Sequence, residues 1–187
     1  MRAFLLGVGS AGFGVSLLLG IPHAAGASSS DVVAGRTGGF GEITCQQCHW
    51  ENPLNEPTGR LTIEGIPERY TLGEQYLITV TVARPGLGRG GFQLSAREDR
   101  INMTGGMNAG TLAPVDKTSQ LLASAVTYVQ HTRDGSAVAA PGTAKWRVRW
   151  TAPENRVNVV FHVAANASND DASPLGDFIY TASLRTR

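Results

Sequence analysis

The residues with the clearest chemistry are Cys45, Cys48 and His49, in the run Thr44-Cys45-Gln46-Gln47-Cys48-His49-Trp50. They include both cysteines of the 187-residue chain. Cys-x-x-Cys-His is the attachment sequence of a c-type haem. Two thiols three residues apart on one helical turn can each form a thioether to a vinyl group of the same porphyrin. The histidine that follows is then placed to supply the proximal imidazole to the iron. The expectation is one covalent haem c, attached through Cys45 and Cys48 and ligated by His49.

Three other uses of the pair are open. A redox dithiol would need a βαβ context, and none is evident. A disulfide closing so short a loop would remove little unfolded-chain entropy. A Cys₂His₂ zinc site could be completed by His131 and His162, although the usual local His-x₃₋₅-His pairing is missing.

An iron held by His49 has a second axial position, and its occupant decides the chemistry: a strong ligand favours electron transfer, an open face gas binding or catalysis. His131, at the end of a predicted strand and just before the Arg133-Asp134-Gly135 turn, is the first candidate. Met103 and Met107, in the loop 99–109, are alternative sulfur ligands, and His162 is a fourth. The Asn169-Asp170-Asp171 loop has calcium-type oxygen donors but reads more simply as a solvated turn.

The elements that must position these residues follow an N-terminal leader. Met1-Arg2, an apolar run over 3–22 and the Ala25-x-Ala27 pattern predict a signal peptide over residues 1–27, cleaved after Ala27. His23 would leave with it. The 160 residues that remain carry 15 basic and 15 acidic side chains. Neutrality argues against a nucleic-acid partner and against a polybasic membrane patch. No second apolar stretch is long enough to span a bilayer, so no integral membrane segment is expected after signal removal. With both cysteines in one motif there is no disulfide framework, and the fold must rest on packing.

Residues 28–59 read as a flexible, glycine-rich lead-in and the haem-attachment segment, with one or two helical turns over 42–51. Residues 60–187 show short alternating runs bounded by turn residues. Strands are predicted over 60–66, 76–83, 92–97, 110–115, 123–132, 145–150, 156–165 and 178–186, with residues 84–91 as a glycine-rich loop. The strongest alternation sets Trp146, Val148 and Trp150 against Lys145, Arg147 and Arg149. About eight strands without a long helix define an all-β, immunoglobulin-like β-sandwich with an N-terminal haem-binding segment.

Several stretches together resemble the exported bacterial reelin-like (reeler-type, choice-of-anchor V) domain proteins. They are Thr37-Gly38-Gly39-Phe40-Gly41-Glu42, the Cys-x-x-Cys-His run, Tyr70-Thr71-Leu72-Gly73-Glu74-Gln75-Tyr76-Leu77-Ile78-Thr79-Val80, Gly91-Phe92-Gln93-Leu94, Tyr128-Val129-Gln130-His131-Thr132, Trp150-Thr151-Ala152-Pro153 and Gly176-Asp177-Phe178-Ile179-Tyr180-Thr181. The resemblance implies a sandwich, export and an accompanying haem motif. It also implies His131 as distal ligand and an aromatic-tolerant position at His162. The expected protein is a periplasmic or secreted monohaem cytochrome that passes single electrons between redox partner proteins. The alternatives are a non-redox binding or surface-adhesion module and a haem sensor or peroxidase-like enzyme with an open distal face.

Overall fold

Alternation along the chain sets the layers, since side chains two residues apart share one face of a strand. In the computed structural model, which describes residues 32–99, 106–138 and 140–187, nine strands form. They are β1 (Arg60–Glu64), β2 (Gln75–Ala83), β3 (Arg89–Glu98), β4 (Thr111–Pro114), β5 (Ser119–Ala123), β6 (Thr127–His131), β7 (Thr143–Thr151), β8 (Val159–Ser168) and β9 (Phe178–Thr186). A four-stranded sheet has the order β1-β2-β7-β4 and a five-stranded sheet the order β5-β6-β3-β8-β9, with every pair antiparallel. The protein is an all-β sandwich.

Between the sheets, Ile78, Val80 and Val82 of β2 and Trp146, Val148 and Trp150 of β7 meet Phe92, Leu94, Phe161 and Val163 of β3 and β8. The Phe92 and Trp146 rings stack at 4.5 Å, and Trp150 meets Phe161 edge-on at 4.9 Å. Both indole N–H groups find carbonyls, Trp146 on Gly135 and Trp150 on Ala109, each at 2.8 Å. The large rings are therefore buried without an orphaned donor.

The structure departs from the sequence expectation in three places. The stretch 123–132 is not one strand: residues 124–126 turn, and β5 and β6 form a hairpin on either side. The glycine-rich loop is shorter than predicted, because Arg89, Gly90 and Gly91 pair with Ser168, Ala167 and Asn166 as part of β3. Those glycines are required by neighbours. A Cβ on Gly90 would stand 2.4 Å from Ala144 Cβ, and one on Gly91 would stand 2.9 Å from the His131 ring.

The third departure concerns residues 32–59, expected as a lead-in and found packed across the outer face of the five-stranded sheet. That face carries Gln93, Ser95, Arg97 and Gln130, all buried. Buried polar groups need partners, and this segment supplies them to Gln93 and Arg97, while Gln130 accepts from Gln93 at 3.2 Å. Arg36 N–H donates to Gln93 Oε1 at 2.7 Å, Gln93 Nε2 donates to Val33 O at 3.1 Å, and Glu42 pairs with Arg97. Farther along, Asn55 and Thr181 exchange hydrogen bonds of 3.0 and 2.7 Å at β9.

Candidate functional site

This strap places the cysteine motif. Thr44 caps a single 3₁₀ turn, Cys45–Gln47, by accepting from Gln46 N–H at 3.1 Å. Cys48 N–H and His49 N–H both reach Cys45 O at 3.1 Å. In a 3₁₀ turn residues i and i+3 eclipse, so Cys45 and Cys48 lie on one side. Both thiols are free.

The turn borders a cavity of about 590 Å³, within the range of roughly 300–1,000 Å³ typical of small-molecule and cofactor sites. Its lining includes Cys45, Cys48, His49 and His131, so the structure brings four of the sequence-predicted residues to one space. The floor is Gly90, Gly91 and Phe92 of β3. His131 comes from β6 on one side of β3. On the other, Asn166 of β8, the register partner of Gly91, stands 3.3 Å from His49. The two histidines therefore flank a glycine floor.

Each imidazole is held by Nδ1. His49 Nδ1 lies 2.7 Å from Oδ2 of Asp177, a buried carboxylate that also accepts from Asn166 at 3.0 Å. His131 Nδ1 lies 3.1 Å from Phe92 N and 3.2 Å from Phe92 O. In the tautomer that donates from Nδ1 to the Phe92 carbonyl, Nε2 keeps its lone pair. Ligating histidines have this pattern, with the second nitrogen fixed by a carboxylate or carbonyl. Burial holds the His131 pKa below its ordinary value, favouring the neutral ring that a metal needs.

Other placements separate the competing chemistries. His162 does not line the cavity. It lies farther along β8, under Gly39 and edge-on to Phe40 at 5.5 Å, so the zinc set of Cys45, Cys48, His131 and His162 does not assemble. Among the described residues no three His, Cys, Asp or Glu side chains converge as a metal-holding group. Burial pushes the Cys45 thiol up to about 11, opposite to the lowered value of a reactive dithiol. Met107 is 60% exposed and does not line the cavity, and Met103 lies outside the described residues. In the Asn169-Asp170-Asp171 loop, Asp170 accepts from Arg89 and Asn169 bonds Asp171, so these oxygens serve the turn. No helix among the described residues is long and apolar enough to cross a membrane.

The residues present fit a haem by three observations: the paired sulfurs on one side, the His131 Nε2 left free by its Nδ1 partner with His49 Nε2 touched only by the Asn166 amide at 3.5 Å, and the missing Cβ at Gly91. Asn166 Oδ1 is also buried without a partner in this cavity. Sequence reasoning missed Asp177, Asn166 and Gly91. Asp177 stands in the Gly176–Thr181 stretch that carried the family resemblance, and that was its one signal.

Fold and cavity together define a β-sandwich with a strapped, histidine-flanked pocket. No family model matches the chain, and no curated protein matches it. Solved structures with a similar arrangement include the reeler domain of human F-spondin, 23% identical, with a TM-score of 0.47, covering 72% of this chain and 94% of that one. The Reelin-N domain of F-spondin is 20% identical, with a TM-score of 0.46, covering 76% and 96%. BslA, a bacterial hydrophobin, is 15% identical, with a TM-score of 0.36, covering 73% and 97%. These likenesses say nothing of the cavity.

Proposed function

We propose that this chain is an exported haem protein, periplasmic or secreted, that passes single electrons between partner proteins. It carries one haem c on Cys45 and Cys48, with His49 as proximal and His131 as distal iron ligand. The observation that carries this reading is that these four residues line one cavity. When bound, haem supplies a one-electron couple whose potential is set by its axial ligands and their hydrogen bonds.

The chain's own residues do the rest. The 3₁₀ turn presents both thiols on one side, Asp177 orients His49, and the Phe92 backbone orients His131. The Glu42–Arg97 pair holds the strap on the sheet, which keeps the motif facing the floor. A filled distal position favours electron transfer over gas binding or peroxidase-like turnover.

The second reading is a non-redox binding module of reelin-like type, in which the same cavity takes an apolar ligand. The observation favouring it is the apolar part of the lining, Val32, Val33 and Phe92. The test is maturation in cells able to attach haem c. The expected product keeps its haem stain after denaturation and has neither thiol open to alkylation. A colourless chain with both thiols alkylated would replace the first reading with the second.

A further inference from the structure

The cavity is ordered along β3. At the cysteine end it is lined by Arg36, whose N–H bonds Gln93 and whose carbonyl lies 4.0 Å from the Cys45 sulfur. Two residues back, Gly91 faces the His131 ring, and its partner Asn166 touches His49. Two further back stands Arg89, which donates to Ser136 Oγ at 2.7 Å and to Asp170 Oδ1 at 2.6 Å. Ser136 is itself buried and donates to the Arg133 carbonyl, and Arg133 lines this same end. At about 3.4 Å per residue the path from Gln93 to Arg89 covers roughly 14 Å. Sulfur, imidazole and guanidinium follow one another along it.

Charge along the lining is unbalanced toward the positive. Arg36, Arg89 and Arg133 face the carboxylates of Asp170 and Asp177. Asp177 is engaged by His49 and Asp170 by Arg89; among the described residues Arg36, beside Cys45, and Arg133, at the opposite end, have no carboxylate partner. Guanidinium groups bind carboxylates through paired N–H donors. A porphyrin has its vinyl groups on one edge, its metal at the centre and its two propionates on the opposite edge.

We infer that the Arg89 and Arg133 end of the cavity is a carboxylate site that receives the propionates of a porphyrin lying along β3, with its vinyl edge at the cysteines. This assignment rests on the haem reading above. It adds a recognition element, selection for an anionic apolar ligand over its neutral ester.

The experiment uses the full chain with Cys45→Ala and Cys48→Ala, so that binding is reversible. Metal-free protoporphyrin and its dimethyl ester are titrated separately and followed by fluorescence. Without a metal no imidazole is needed, so the comparison reads the carboxylates alone. The free acid is expected to bind at least tenfold more tightly than the ester. Arg133→Glu, an exposed change that leaves the core intact, is expected to abolish that preference and leave the ester's affinity in place. Equal binding of acid and ester, equal weakening of both by Arg133→Glu, or no binding of either overturns the assignment. Failure of the haem reading is seen separately, as a matured wild-type chain without covalent haem. An acid preference that Arg133→Glu removes would still support the carboxylate site in that case.

Discussion

His49 Nδ1 lies 2.7 Å from Asp177 Oδ2, and the aspartate side chain is only 1% exposed. Burial alone would raise the Asp177 pKa, but hydrogen bonds from His49, Asn166 and Ser168 outweigh it and hold the carboxyl below its ordinary range. The group is thus an anion behind the proposed proximal ligand. Such a carboxylate makes the imidazole a stronger donor and favours the ferric state. Asp177→Asn is expected to raise the midpoint potential of the haem-loaded protein. One to two decades in the ferric-to-ferrous ratio is about 60–120 mV at 59 mV per decade for one electron. A redox titration showing the same potential in both proteins would remove Asp177 from that role.

Gly91 makes room for His131. A Cβ there would stand 2.9 Å from Cε1 and 3.2 Å from Nε2 of the ring. Gly91→Ala must therefore displace the imidazole while leaving the core face of β3, Phe92 and Leu94, untouched. The reduced, haem-loaded variant is expected to bind carbon monoxide readily, as should His131→Ala, while the parent resists it. Fast carbon monoxide binding by the parent would show that His131 does not fill the distal position.

The motif and most strands were legible because each has a local signature. Cys-x-x-Cys-His is contiguous, and Trp146, Val148 and Trp150 alternate with cations within one strand. Asp177 was not legible, since a lone acid after a glycine has no pattern until β8 and β9 bring it beside His49. Residues 32–59 looked like a lead-in because their attachment uses backbone groups and single polar side chains, as in the bonds from Arg36 N–H to Gln93 and from Arg97 to Glu42, which composition does not report. Gly90 and Gly91 read as loop for the same local reason. Their strand role comes from Trp146 and His131, residues distant in sequence. Met107, chemically able to ligate iron, faces solvent.

His162 offers a pH test away from the cavity. Burial holds its pKa below the ordinary 6.5, and the nearby Arg97 adds repulsion. The unfolded chain then takes up the proton first, so this contribution to stability is complete above 6.5 and is lost as pH falls through the folded value. Urea unfolding from about pH 7.5 down to 5.5 should show declining stability. His162→Phe, which keeps an aromatic ring against Phe40, is expected to flatten part of that decline. His131, whose pKa burial also lowers, contributes in the same direction. An unchanged slope in the variant would exclude His162 as a source.

Arg97 and Glu42 form the ion pair that fastens the strap, with Arg97 2% exposed and Glu42 13%. Arg97 also donates to Tyr128 at 2.7 Å. For Glu42, burial would raise the pKa, yet hydrogen bonds from Thr37, Tyr128 and Arg97 prevail and lower it from 4.5. Its contribution is present above that value and is lost as pH falls through the folded one. Removing one partner of a buried pair leaves an uncompensated charge, at a cost of about 3–5 kcal/mol. Glu42→Gln is therefore expected to lower urea stability by about 3 kcal/mol, since the Glu42 side of the pair keeps some solvent access. Glu42→Gln combined with Arg97→Met removes both charges, and the double variant should be more stable than the single one. If the two substitutions simply add, the pair is not what holds residues 32–59, and with them Cys45, Cys48 and His49, against the sheet.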